Sequence, residues 1–193
     1  MNPASSFAAV ILAAGSSSRM GFPKALLTYR GERFVDRLAR IFSAVCKEIV
    51  VVRSAASGEW TVAGAHLVTN PLPERGMLSS LQCGLRAVSR ERHAVFFTPV
   101  DYPAIAESTV SLLAAAWAGD QIIIPRYRGR RGHPVLIAHA LLQEFESLPV
   151  SAQPADVVRR HESEIRYIDV DDPAILSDVD TPEQHRALEQ AFS

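Results

Sequence analysis

Cysteine is nearly absent. Cys46 and Cys83 are the only two in 193 residues, too few and too far apart for a zinc site, and they read as buried free thiols outside the chemistry. Excess charge of one sign is also missing. Lys and Arg total 20 against 21 Asp and Glu, a net charge of −1, and no basic run is spaced to follow a phosphate backbone, which speaks against a nucleic-acid partner. The apolar runs are strand-length, which speaks against a membrane span, and MNPASSF has neither the charged nor the apolar region of a signal peptide. The expected location is therefore the cytoplasm. There is no internal repeat, low-complexity tract or linker, so residues 1–193 read as a single domain. Neither a P-loop nor the three-glycine dinucleotide fingerprint is present.

What is present is an alternation of strands and helices. Residues 8–14 form an unbroken apolar run, suited to a strand buried on both faces. Residues 33–45 then place Phe34, Leu38, Ile41, Phe42 and Val45 on one helical face, and residues 48–52 return as a strand. Further strands are expected at 66–68, 94–100, 121–125 (ending at Pro125), 134–137 and 165–170. Helices are expected at 77–88, 108–117 (with Ser108 available as cap), 141–148, 155–160 and 182–191. Strand–helix–strand units close with right-handed crossovers, which predicts a three-layer α/β/α sandwich around a mostly parallel sheet. Ligands of such sheets sit beyond the carboxyl ends of the strands.

The residues with chemical character fall there. After the first strand comes LAAGSSSRMGFPK, residues 12–24, where Leu12, Ala13, Ala14 and Gly15 let the backbone approach a ligand and Arg19 and Lys24 supply two separated cations for a triphosphate. After the next strands, NPLPERGMLSSL carries Asn70, Gly76, Ser79 and Ser80 at a helix start, suited to reading a base or ribose or to capping the helix. Asp101 follows FFTPV directly, where a carboxylate could hold Mg²⁺ or cap a turn. Asp178 and Asp180, two apart in LSDVDTPEQ, share one face of an extended segment; both suit a metal, and Asp180 or Thr181 also suits a helix cap. In GRRGHPVLI, His133 could hydrogen-bond an acceptor substrate and Arg130 or Arg131 could meet its phosphate.

These segments, in this order, resemble the MobA-like nucleotidyltransferases. LAAGSSSRMGFPK matches every fixed position of L-A-A-G-x-S-x-R-M-G-x-x-K; NPLPERGMLSS resembles N-P-x-x-x-x-G-M-x-S-S. The GHP segment and DVDTPE are similar to the molybdenum cofactor cytidylyltransferase branch, with Gln184 where that branch usually has Asp. The resemblance implies a nucleotide-diphospho-sugar transferase (Rossmann-like) fold. It implies a Mg²⁺-dependent enzyme that moves CMP from CTP to the terminal phosphate of molybdopterin and releases pyrophosphate, with a molybdoenzyme or its chaperone as a further partner. In that reading Arg19, Lys24 and Asp101 are catalytic, Asp101 and Asp178 hold the metal and Asp180 supports them. GTP as donor, a sugar phosphate or other phosphorylated alcohol as acceptor, and a non-catalytic cofactor-binding chaperone are the alternatives. A methyl group at Ala14, where the guanylyl branch has glycine, narrows the space beside the base and favours a pyrimidine.

Overall fold

The computed structural model describes residues 7–15 and 22–191. In chain order they form β1 (Phe7–Ala13), β2 (Thr28–Tyr29), β3 (Glu32–Arg33), α1 (Phe34–Ser43), β4 (Glu48–Ser54), β5 (His66–Asn70), α2 (Met77–Ala87), β6 (Ala94–Pro99) and α3 (Glu107–Ala116). They continue as β7 (Ile122–Tyr127), β8 (Arg130–Arg131), β9 (Val135–Ala138), α4 (Leu142–Ser147), α5 (Pro154–Arg160), β10 (Ile165–Asp169) and α6 (Pro182–Ala191). Apart from the β2–β3 ribbon, the strands join one sheet in the order β10-β7-β9-β6-β1-β4-β5, with β8 paired to β7.

The pairs β1–β4, β1–β6, β4–β5 and β7–β10 are parallel, whereas β9 runs antiparallel to both β6 and β7. The sheet is thus mostly parallel, as the alternation predicts, and β6 and β7 point the same way on either side of β9. All the long parallel strands end at one rim.

Strand β1 shows why three layers form. Phe7, Ala9, Ile11 and Ala13 enter one core with Phe34, Leu38, Val110 and Leu188, from α1, α3 and α6. Ala8, Val10 and Leu12 enter the other with Leu81, Phe145 and Val157, from α2, α4 and α5. A period of two with both faces buried leaves no polar position in the strand, so its sequence is a continuous apolar run. Each large side chain so buried contributes about 1.5–3 kcal/mol, which holds the rim above rigid.

Two details differ from the sequence expectation. Pro125 does not end its strand: β7 continues to Tyr127, because Pro125 still pairs with Ile168 of β10 and its carbonyl accepts from Gly132. Ser108 does not cap α3, whose N-cap is Ala106 with no side-chain cap of its own. Asp172, distant in sequence, does that work by accepting from the Ala106 N–H at 2.9 Å and the Thr109 hydroxyl at 2.7 Å.

Among the described residues no helix is long and apolar enough to cross a membrane.

Candidate active site

The ends of β1 and β6 make the floor of the site. Leu12 stands beside Pro99 in the sheet register, and the Val100 N–H donates to the Leu12 carbonyl at 3.0 Å. Above them opens a cleft of about 460 Å³. Leu12, Ala13, Ala14 and Gly15 line it together with Lys24, Gly76, Ser80, Asp101 and Asp180, and so do Glu74 and Met77.

Lys24 opens a 3-10 turn, Lys24–Leu26, after Pro23. Its ammonium donates to Asp101 Oδ2 at 3.1 Å and to Asp180 Oδ1. Asp101 is brought by β6 and Asp180 by the approach to α6, 156 positions from Lys24. The tail is held in place by backbone: the Val179 N–H donates to the Asp101 carbonyl at 2.9 Å, and Val179 is buried while its two aspartate neighbours face away. Thr181 and Gln184 then cap α6 reciprocally. Gln184 Oε1 accepts from the N–H groups of Asp180 and Thr181 at 2.7 and 2.8 Å, and Thr181 Oγ1 accepts from the Gln184 N–H at 3.3 Å. Gln184 and Thr181 thus cap α6, while the Asp180 carboxylate is directed to Lys24.

Electrostatics divide the two partners. Burial pulls the Lys24 ammonium down, but hydrogen bonds and charge from Asp180 and Asp101 more than offset it and leave its pKa raised. Burial pushes Asp101 up; Lys24 opposes this, and the charges of Asp180 and Asp178 add to it, so its carboxyl sits above the usual carboxylate range. Lys24 shares two anions, whereas Asp101 has one cation and two like charges around it.

Burial also raises Tyr102 to about 12, with Asp178, Asp101 and Asp180 adding to the effect. Among the described residues this corner sets three carboxylates, Asp101, Asp178 and Asp180, against the one ammonium of Lys24. Asp101 Oδ1 is buried and has no hydrogen-bond partner. Hard carboxylate oxygens, one of them unsatisfied, in a locally anionic pocket fit a divalent cation of the magnesium type. Among the described residues no three acidic, imidazole or thiol groups form a ready-made metal cage.

The other residues singled out by sequence fall into three groups. Arg19 lies outside the described residues. Asp180 lines the cleft and Asp178 does not, although sequence favoured Asp178; Asp178 acts on Asp101 and Tyr102 through its charge. The Asn70 amide, 1% exposed, is committed inside the protein. It donates to Ser79 and Ser80 Oγ at 2.8 and 3.0 Å and accepts from the Leu72 N–H at 2.9 Å. These three residues pin the turn that carries Gly76, whose φ of 83° suits glycine, and Ser80 also reaches the cleft. His133 is enclosed, its ring 4.9 Å from that of Tyr102 and 6.1 Å from that of Phe97, and burial lowers its pKa to about 4. Arg130 is exposed on β8. Sequence reasoning missed Glu74, which reads as an ordinary charged turn residue until the cleft is seen.

A mostly parallel sheet that brings a lysine and two aspartates to one rim beside a backbone-lined cleft is the layout of a nucleotidyltransferase. Residues 9–165 match the MobA-like NTP transferase domain, and the chain belongs to that family. It is 25% identical to the molybdenum cofactor cytidylyltransferase of Escherichia coli, over 95% of this chain and 96% of that one. It is also 33% identical to the nicotine blue oxidoreductase of Paenarthrobacter nicotinovorans, over 91% and 92%. Among solved structures, Rv0371c of Mycobacterium tuberculosis superposes with a TM-score of 0.83 at 23% identity, covering 97% of this chain and all of that one. The same protein in complex with manganese gives 0.72 at 21% identity, covering 97% and 99%.

Proposed function

We propose that this protein moves CMP from CTP to the terminal phosphate of molybdopterin and releases pyrophosphate. The observation that carries the reading is the meeting of Lys24, Asp101 and Asp180, from three distant parts of the chain, at the mouth of one cleft. The E. coli relative supports the choice of cytidylyl donor and acceptor, as does Ala14 in the cleft wall.

An acceptor phosphate is already an anion near neutral pH, so no nucleophilic side chain or general base is needed. The protein's work is alignment and charge compensation. Lys24, carried on a short turn, neutralises the triphosphate and the charge that builds at the α-phosphorus, and Arg19 joins it. The backbone around Gly15 approaches closely enough to hold phosphate oxygens. Asp101 would hold the divalent metal, with Asp180 beside it and Asp178 contributing field. When bound, that metal supplies Lewis-acid stabilisation of phosphate charge, and the manganese complex of the M. tuberculosis homologue supports this assignment. On the acceptor side Arg130 stands exposed at the rim for an anionic group, and enclosed His133 shapes the loop that presents it. In this reading the whole chain works as one catalytic unit, and the protein that receives the product is a molybdoenzyme or its chaperone.

The Paenarthrobacter relative, an oxidoreductase by name, means that shared fold does not by itself fix the reaction. The lysine and its two acids favour phosphate chemistry. The test is a matrix of donors (CTP, GTP, ATP, UTP) and acceptors (molybdopterin, sugar phosphates), scored by pyrophosphate release with and without Mg²⁺. The expected result is metal-dependent release from CTP with molybdopterin. Greater release from GTP would move the donor, greater release with a sugar phosphate the acceptor, and tight CTP binding without release would make the protein a carrier.

A further inference from the structure

The charged residues of the cleft are unevenly placed. Lys24, Asp101 and Asp180 share one end. The remaining one, Glu74, lies in the 3-10 turn Pro73–Arg75 between β5 and α2, lines the same cleft, and makes no hydrogen bond or ion pair among the described residues.

Strands β6, β1, β4 and β5 lie side by side in that order, so three strand spacings, roughly 14 Å, separate the strand behind Asp101 from the strand behind Glu74. A triphosphate held at Lys24 and running along the cleft would carry its nucleoside toward Glu74. A carboxylate at that end repels phosphate and welcomes hydrogen-bond donors.

The turn holding Glu74 is fixed on both sides. The Leu72 N–H donates to Asn70 Oδ1 at 2.9 Å, and Ser79 Oγ is within 3.0 Å of the carbonyls of both Leu72 and Gly76. The backbone that carries Glu74 is thus held at both ends, which lowers the ordering cost of a contact made there.

We propose that Glu74 reads the exocyclic amino group of the donor base and so rejects uridine nucleotides. The inference rests on reading the cleft as a nucleoside triphosphate site. A carboxylate only accepts. Cytosine offers it the 4-amino donor, whereas uracil places the O4 acceptor there, lone pair against lone pair. Adenine carries an amino donor at the matching position, so Glu74 separates cytosine and adenine from uracil and leaves the choice of ring size to the wall at Ala14.

The experiment is equilibrium titration of the full chain with CTP and with UTP in magnesium buffer, with no acceptor present, for wild type, Glu74→Gln and Arg75→Ala. Arg75 is the neighbour on the same turn and does not line the cleft. Wild type is expected to prefer CTP by roughly tenfold to a hundredfold, the discrimination that one good base contact supplies. In Glu74→Gln the ratio falls to within about threefold of unity, because the new amide donates to O4. Arg75→Ala keeps the wild-type ratio. Wild type without the CTP preference, or Glu74→Gln with the preference intact, overturns the role of Glu74. Failure of wild type to bind any nucleoside triphosphate overturns the reading of the cleft instead.

Discussion

The stretch from Ile175 to Asp180 touches two regions that look alike in sequence and behave differently in the fold. At its end, Val179 bonds to Asp101 and Asp180 reaches Lys24. At its start, the Ile175 carbonyl accepts the His133 N–H at 3.0 Å. Both regions gather charged or titratable residues beside glycine and proline. The first remains charged, with a raised lysine, a destabilised aspartate and an unsatisfied oxygen at the cleft. The second is packed, its histidine enclosed and held neutral. Chemistry is expected where charge stays unbalanced, and shape where burial has removed it.

The strongest way to break this contrast is at Gly132. A Cβ there would stand 2.3 Å from the Ile175 carbonyl oxygen, a backbone atom with nowhere to go. Gly132→Ala is expected to cost about 3 kcal/mol or more in urea unfolding, at the upper end for overpacking. Because the same stretch carries Asp180, activity should fall with it. A stable Gly132→Ala would show that the packed region is looser than its contacts say.

Lys24→Ala tests the charged region. Turnover is expected to drop about a hundredfold or more, the scale for losing one transition-state electrostatic partner. Measured pyrophosphate release within threefold of wild type would remove Lys24 from catalysis.

Protonation sharpens the comparison next. His133 titrates near 6.5 when unfolded and at about 4 in the fold, so its contribution to stability is full above pH 6.5 and is lost as pH falls toward 4. Between pH 7 and pH 5 wild type should lose about 2 kcal/mol that His133→Gln does not lose, read from denaturant midpoints at each pH. Equal pH slopes for the two proteins would mean that the ring is open to water.

Much of this was legible in the sequence because it is local. The apolar runs of β1 and β6, the helix starting at Pro182 and the order of the motifs follow from residue type and spacing. What escaped depends on distant partners or on direction. A period of two does not say which way a strand runs, so the antiparallel course of β9 has no signature in its residues. The cap of α3 came from Asp172, and Ser108 could not reveal it. Asn70 reads as a polar group awaiting a ligand, and only the fold shows its amide spent on Ser79, Ser80 and Leu72. Glu74 escaped for the opposite reason, as a turn residue that the fold turns toward the cleft.

The finest division lies between Asp178 and Asp180. Both belong to one extended segment, but only Asp180 reaches Lys24 and the cleft, while Asp178 acts on Asp101 from beside it. Removing the Asp178 charge should relax Asp101 toward the usual carboxylate range, since a like charge that opposed its ionisation is gone. Asp178→Asn should then change turnover by no more than a few-fold and shift the acid limb of the pH–rate profile downward. Asp180→Asn frees Lys24 from one of two anions and should cost about tenfold, as expected for the loss of one charged contact at the site. If Asp178→Asn proves the more damaging of the two, Asp178 carries the metal directly, and the tail must shift by one side chain when the nucleotide binds.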